Sequence, residues 1–156
     1  MRRFRQQLPD CEARHILVTA TNGILSLVDP DGRPYGVPMS FVFDGVGALY
    51  FHCATEGRKM ECLRRCDRAS FCAVGLDEIH PEEFTTYFRS VIAEGRIYEI
   101  EDPAHKIAAL RLLGAKYSPG IDSTREIDKG LDHVAVLRLE IESLNGKEAL
   151  ELARRR

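Results

Sequence analysis

Arg58 and Lys59 are the residues of this chain best placed to do chemistry on an anion. They follow Leu49-Tyr50-Phe51-His52-Cys53-Ala54, an alternating apolar strand, and the polar turn Thr55-Glu56-Gly57. The pattern predicts a helix over about 56–65, which puts both cations in its first turn. Cations are disfavoured there unless an anion is present. Free backbone N–H groups, a positive helix end and two cationic side chains would converge, and that combination holds a phosphate. The competing reading is two solvated surface charges. Position favours phosphate, and on a small, mostly β chain a phosphate points to a phosphorylated cofactor.

Other reactive side chains form no second constellation. His15, His80, His105 and His133 are scattered without metal-ligand spacing and read as structural or exposed, so no metal site is expected. Asp10, Glu12, Asp77, Glu78, Glu82 and Glu83 read as solvated surface, with no carboxylate pair for acid–base work. No Gly-rich nucleotide fingerprint follows a strand, which argues against a Rossmann NAD site. Cys11, Cys53, Cys62, Cys66 and Cys72 are odd in number and contain no CxxC pair, so reduced thiols in a cytoplasmic protein are expected. Cys62 and Cys66 share a helix face, but structural zinc sites use tighter pairs.

With 156 residues the chain fits one domain, 1–156, large enough to fold on its own core. A net charge of −2 provides no drive toward nucleic acid or an anionic membrane. No apolar run approaches the roughly 20 residues that span a bilayer, and the basic start Met1-Arg2-Arg3-Phe4-Arg5 lacks the apolar stretch of a signal peptide.

The elements that must position Arg58 and Lys59 are mostly strands. A helix is expected from Pro9-Asp10 to about Ala20, with Asp10 as its cap, then strands over 24–28, 34–43 and 48–53. Asp29-Pro30-Asp31-Gly32 and Asp44-Gly45-Val46-Gly47 turn the chain between them, predicting an antiparallel meander. Further strands are expected over 69–74, 85–100 and 134–141. Residues 79–83 read as loop, 121–131 as loop or short helix, and 145–156 as a terminal helix or tail. Gly95 inside the long run predicts a bulge. Asp102-Pro103 starts a helix whose apolar stripe is Ile107, Leu110, Leu113 and Tyr117. The fold class is therefore mainly β: a small barrel of about six antiparallel strands with inserted helices. Val42, Leu49, Phe51, Phe71, Ala73, Val91, Val134, Val136 and Leu139 are the core candidates, and Tyr35, Phe41 and Tyr87 read as core rather than cofactor stackers.

Gly32-Arg33-Pro34-Tyr35-Gly36-Val37-Pro38-Met39-Ser40-Phe41, then Leu49 to Ala54, then Gly57-Arg58-Lys59 resemble the FMN-binding split-barrel proteins related to pyridoxamine 5'-phosphate oxidase. Within that superfamily the chain is similar to the group that includes 5-nitroimidazole-resistance proteins. The resemblance continues through 87–96, 102–113 and 136–141 to Gly146-Lys147. It implies a split β-barrel and a homodimer with FMN at the interface, each barrel contributing to both sites. Val37, Pro38, Met39 and Ser40 would then lie along the isoalloxazine edge and contact it through backbone groups. His52 and Ala54 would stand near the ribityl chain and ring, and Arg58 and Lys59 would take the phosphate. Ser90 falls where pyridoxamine phosphate oxidases place a flavin-contacting glutamine.

Two departures redirect the expected activity. The chain ends Leu152-Ala153-Arg154-Arg155-Arg156 instead of carrying the family's Arg-Leu-x-Pro substrate motif, and it has no tryptophan, which argues against vitamin B6 oxidation. Ser40 also stands where the resistance group often has Asn. The resemblance instead implies an FMN-dependent reductase, taking electrons from NAD(P)H or another donor to a small electrophile such as a nitroaromatic. His52 is the candidate catalytic residue, as a proton or hydrogen-bond donor, with a polar wall as its alternative role. The competing functions are a non-catalytic flavin store or sensor and a haem-handling relative.

Overall fold

The computed structural model describes residues 4–155. Helix α1 (Asp10–Thr19) precedes strands β1 (Asn22–Val28), β2 (Pro34–Ser40), β3 (Val42–Phe43) and β4 (Ala48–Ala54). Helix α2 (Arg58–Arg65) leads into a long hairpin, β5 (Arg68–His80) and β6 (Thr85–Glu99). Helices α3 (Pro103–Tyr117) and α4 (Thr124–Gly130), strand β7 (Val134–Glu148) and helix α5 (Leu150–Arg155) complete the chain. The strands form one antiparallel sheet in the order β2-β1-β5-β6-β7-β4-β3. The mainly β class holds, with seven strands where about six were expected.

The sheet is open, and its two outermost strands are consecutive in the chain. Residues 34–43 were expected as a single strand, but the run breaks at Phe41. Its first part pairs with β1 and its last two residues pair with β4, so the expected continuous meander does not form. The Phe41 ring is fully buried, 4.6 Å from Phe71 and 6.5 Å from Phe51 between centroids, and this anchors the chain where it crosses from one edge of the sheet to the other. The backbone of Phe41 belongs to neither ladder. Its N–H donates to the Tyr117 hydroxyl at 2.8 Å, and that hydroxyl also lies 2.8 Å from the Phe41 carbonyl oxygen. The end of α3 thus supplies the hydrogen bonds that a buried backbone needs.

Alternation sorts the core as expected for Val42, Leu49, Phe51, Phe71, Ala73, Val91 and Leu139, all buried. Val134 is only half-buried. Val136 is buried outside the curl of the sheet, beneath α3 with Ile100 and Ala109. Residues 79–80, expected as loop, finish β5, and β7 runs seven residues past the expected end at Ile141 to Glu148. Beyond Val74 the hairpin leaves the core, so pairing with β6 sustains the strand without apolar alternation. Asp10 is the first residue of α1, not its cap, and pairs with Arg14 at 2.6 Å. Asp102 does cap α3, accepting from the His105 N–H at 2.8 Å, with Pro103 at the first helical position. The register slips between Glu94 and Gly95, where a Cβ would collide with the Glu140 carbonyl oxygen.

Candidate functional site

The break at Phe41 also makes the site. Extending the Val42–Tyr50 register would set Ser40 opposite His52 and Pro38 opposite Ala54. Instead β2 turns away to β1, and β4 pairs on its other side with β7, His52 opposite Val136. Two strand edges therefore face a common cleft without a ladder between them. Unpaired edges present N–H and C=O groups to whatever lies beside them, and Pro34 and Pro38 are tolerated in β2 because it is an edge strand. The side chains of Pro38, Ser40, His52 and Ala54 are exposed on the outer face, whereas Val37 and Met39 point to the core.

Ser40 and His52 line a cavity of about 360 Å³ walled by Leu110 and Leu113 of α3 and Ile127 of α4. The sequence assigned no wall to this place. The apolar stripe of α3 read simply as helix packing, and α4 lay in a polar segment read as loop or short helix. Their apolar faces, with Ser40, His52, Tyr117 and Glu126 as the polar groups, make a mostly apolar pocket, the usual composition of a small-molecule site.

Arg58 and Lys59 sit at the other end of β2. The helix starts at Arg58, two residues later than expected, and Gly57 caps it at φ +111°, a conformation that favours glycine. No side chain caps this end, so the first N–H groups point outward. Lys59 is half-buried and makes no hydrogen bond or ion pair among the described residues. Arg58 is engaged: a guanidinium nitrogen lies 3.0 Å from Asp29 Oδ2, and Cζ stands 4.3 Å from the Tyr35 ring centroid. Buried Asp29 accepts the Arg33 and Asp31 N–H groups at 2.8 and 3.0 Å. Those from Arg33 foremost, then the Arg58 guanidinium, hold its carboxyl below the usual range despite burial. Asp29 was read only as a turn former. The signal available was an Asx turn, in which Oδ1 takes the turn N–H groups and leaves Oδ2 to Arg58 here.

Tyr35 beneath Arg58 and Ser40 at the cavity are five residues apart on β2, on the order of 16 Å at strand rise. Tyr35 faces the core and Ser40 the outer face, so the cleft and cavity meet the helix end along β4, where Arg58 follows Ala54 by four residues. Ser90 is elsewhere. It lies in β6 opposite Val74 and Lys147, and ten residues of chain separate it from Ile100, whose N–H reaches Val136 beside His52. Across the sheet, Ile92, Cys72, Ile24 and Pro38 form one row, and Ser90 is two residues from Ile92, so two strands stand between Ser90 and β2, about 15 Å away.

Among the remaining aromatics and histidines, Tyr87 is buried, and its hydroxyl donates to Glu83 at 2.7 Å. His80 stacks on Tyr87 and gathers with Glu82 and Glu83, their ligand atoms within 4.8 Å of one another at the exposed hairpin tip. All five cysteines are free thiols, and burial pushes those of Cys53, Cys62 and Cys72 up. Among the described residues no helix is long and apolar enough to cross a membrane.

A family model described as pyridoxamine 5'-phosphate oxidase matches residues 9–148, nearly the whole chain. The chain belongs to the pyridoxamine 5'-phosphate oxidase family. A candidate 5-nitroimidazole antibiotic resistance protein from Bacteroides thetaiotaomicron superposes with a TM-score of 0.80 at 24% identity, over 91% of this chain and 86% of that one. An FAD- and haem-binding protein from Mycobacterium smegmatis gives 0.76 at 22% identity, over 93% and 73%. An FAD-binding protein from Mesorhizobium loti gives 0.68 at 23% identity, over 92% and 97%. These similarities establish the fold. Among curated proteins, none matches the sequence.

Proposed function

We propose that this member of the pyridoxamine 5'-phosphate oxidase family is a flavoprotein. It binds FMN in the groove between β2 and β4, as a homodimer, and reduces small electrophiles such as nitroaromatics. The observation that carries the reading is the uncapped start of α2 with Lys59 unpaired beside it, a short turn beyond β4, whose His52 lines a mostly apolar cavity. FMN suits this geometry better than a dinucleotide. One helix end and one uncompensated cation match a single terminal phosphate, and Asp29 already neutralises Arg58. Flavin-binding proteins among the similar structures support the same class of cofactor.

The flavin, when bound, supplies reversible hydride acceptance and delivery. The chain's own residues do the rest. Lys59 and the first N–H groups of α2 hold the phosphate, while Arg58 stacks on Tyr35 and stiffens the adjoining β1–β2 turn. The free edge of β2 over 37–40 offers backbone groups to the ring's polar rim. Leu110, Leu113 and Ile127 exclude water from the cavity, and His52 presents an imidazole N–H that can donate a hydrogen bond or proton to a substrate there. Ser90 is assigned to the groove of a second copy, since β5 and β1 stand between it and β2 in its own chain.

The visible spectrum of the purified protein tests the proposal. Two flavin bands, bleached by NADPH and restored by a nitroaromatic, are expected. A Soret band would replace this reading with haem handling, and a yellow protein inert to both reagents would leave a flavin store or sensor.

A further inference from the structure

A second cavity of about 350 Å³ lies on the opposite flank of α3, and the groove does not account for it. Its floor is a cross-strand row in strict register, Tyr50 of β4, Arg138 of β7 and Tyr98 of β6. The row stands on the outer face of the sheet, and α3 roofs it with Ala109 and Leu112. Two donors here lack protein partners. Arg138 Nε is buried and makes no hydrogen bond, and the half-buried Tyr50 hydroxyl, open to the cavity, makes none among the described residues. Leaving the buried Arg138 donor unmade costs about 1–3 kcal/mol, so it calls for an acceptor, and the Tyr50 hydroxyl is free to serve the same one.

Charge decides what kind of acceptor. Glu140 Oε1 already lies 3.3 Å from the Arg138 guanidinium and accepts the Tyr98 hydroxyl at 2.8 Å. Asp44 also attracts Arg138, while its Oδ1 is tied to the N–H groups of Val46, Gly47 and Ala48. With two carboxylates around one guanidinium, an anionic ligand would meet net repulsion. The remaining walls are tyrosine rings, aliphatic side chains and His105, whose Nδ1 lies 3.5 Å from Asp102 Oδ2. We propose that this cavity is a second ligand site, independent of the flavin reading, taking a neutral planar aromatic molecule whose carbonyl oxygen accepts from Arg138 Nε and the Tyr50 hydroxyl.

The probes are 1-naphthamide, which fits that description, and 1-naphthoate, its charged counterpart. Each is titrated into the isotope-labelled full-length protein, with and without FMN, and followed by amide chemical shifts. Saturable shifts around Tyr50, Arg138 and Leu112 are expected for the amide in both states, with the naphthoate binding about tenfold more weakly. In Tyr50→Phe, and separately in Arg138→Met, affinity for the amide should fall about tenfold. Circular dichroism checks each fold, and the two variants make the test robust to the loss of either. Absence of saturable shifts at these residues, shifts confined to Ser40 and His52, or equal amide affinity in wild type and a folded variant would overturn the proposal, leaving water as what satisfies both donors.

Discussion

At the residue scale, the unequal standing of the two cations has a consequence. Arg58 is committed to Asp29 and Tyr35, so Lys59 should carry the larger share of phosphate affinity. Lys59→Ala is expected to weaken FMN binding at least about tenfold, measured by flavin fluorescence quenching, since a charge-assisted bond contributes roughly 1.5–3 kcal/mol. Arg58→Ala should act more on the fold, by releasing buried Asp29. Unchanged FMN affinity in Lys59→Ala would remove the anchor of the functional proposal. Tyr117 is the second decisive residue. Its hydroxyl serves the Phe41 backbone, so Tyr117→Phe should lower stability in urea by about 1–3 kcal/mol although the ring is retained.

At the element scale, the β5–β6–β7 ribbon depends on contacts that hydrophobic pattern does not show. Gly95 lets β7 pass close at the register slip, and a methyl group there would meet the Glu140 carbonyl. Backbone cannot give way as a side-chain tip can, so Gly95→Ala should lower the thermal midpoint more than Gly47→Ala, where nothing lies within 4 Å. The β1–β2 turn adds a pH dependence. The Asp29 carboxyl titrates below its unfolded value, so its stabilising contribution is complete above the ordinary carboxylate range and is lost as pH falls through the lowered value. Asp29→Asn should flatten the acid limb of a stability–pH curve, while a parallel loss in both proteins would show that the turn contributes nothing there.

At the scale of the whole molecule, the separation of Ser90 from the groove can be turned into a complementation test. If a dimer builds each site from two chains, Lys59→Ala and Ser90→Arg damage opposite contributions. Mixed after co-refolding, the two should form heterodimers that bind flavin at one site of the pair, although each variant alone binds poorly. Absorbance per chain reads this directly. Additive loss with no recovery would place the whole site within one chain.

Local chemistry made much of this molecule legible in the sequence. Strand alternation located Leu49 and Phe51 of β4, Phe71 and Ala73 of β5 and Val91 of β6 in the core, Asp102-Pro103 announced α3, Gly95 announced the bulge, and the strand–turn–cation order singled out Arg58 and Lys59. Those signals act over a few residues and survive without a partner segment. What lay beyond them involved groups far apart in the chain. A Tyr117 hydroxyl 76 residues away satisfies Phe41 and so breaks one expected strand into two. That break opens β2 from β4, and α3 with α4 then walls the cavity beside His52. Asp29 was visible as a turn residue, but only folding brings Arg58 to it. Hydrophobic periodicity reports which face of an element is buried, and it carries no information about which distant hydroxyl or carboxylate will meet the backbone left over.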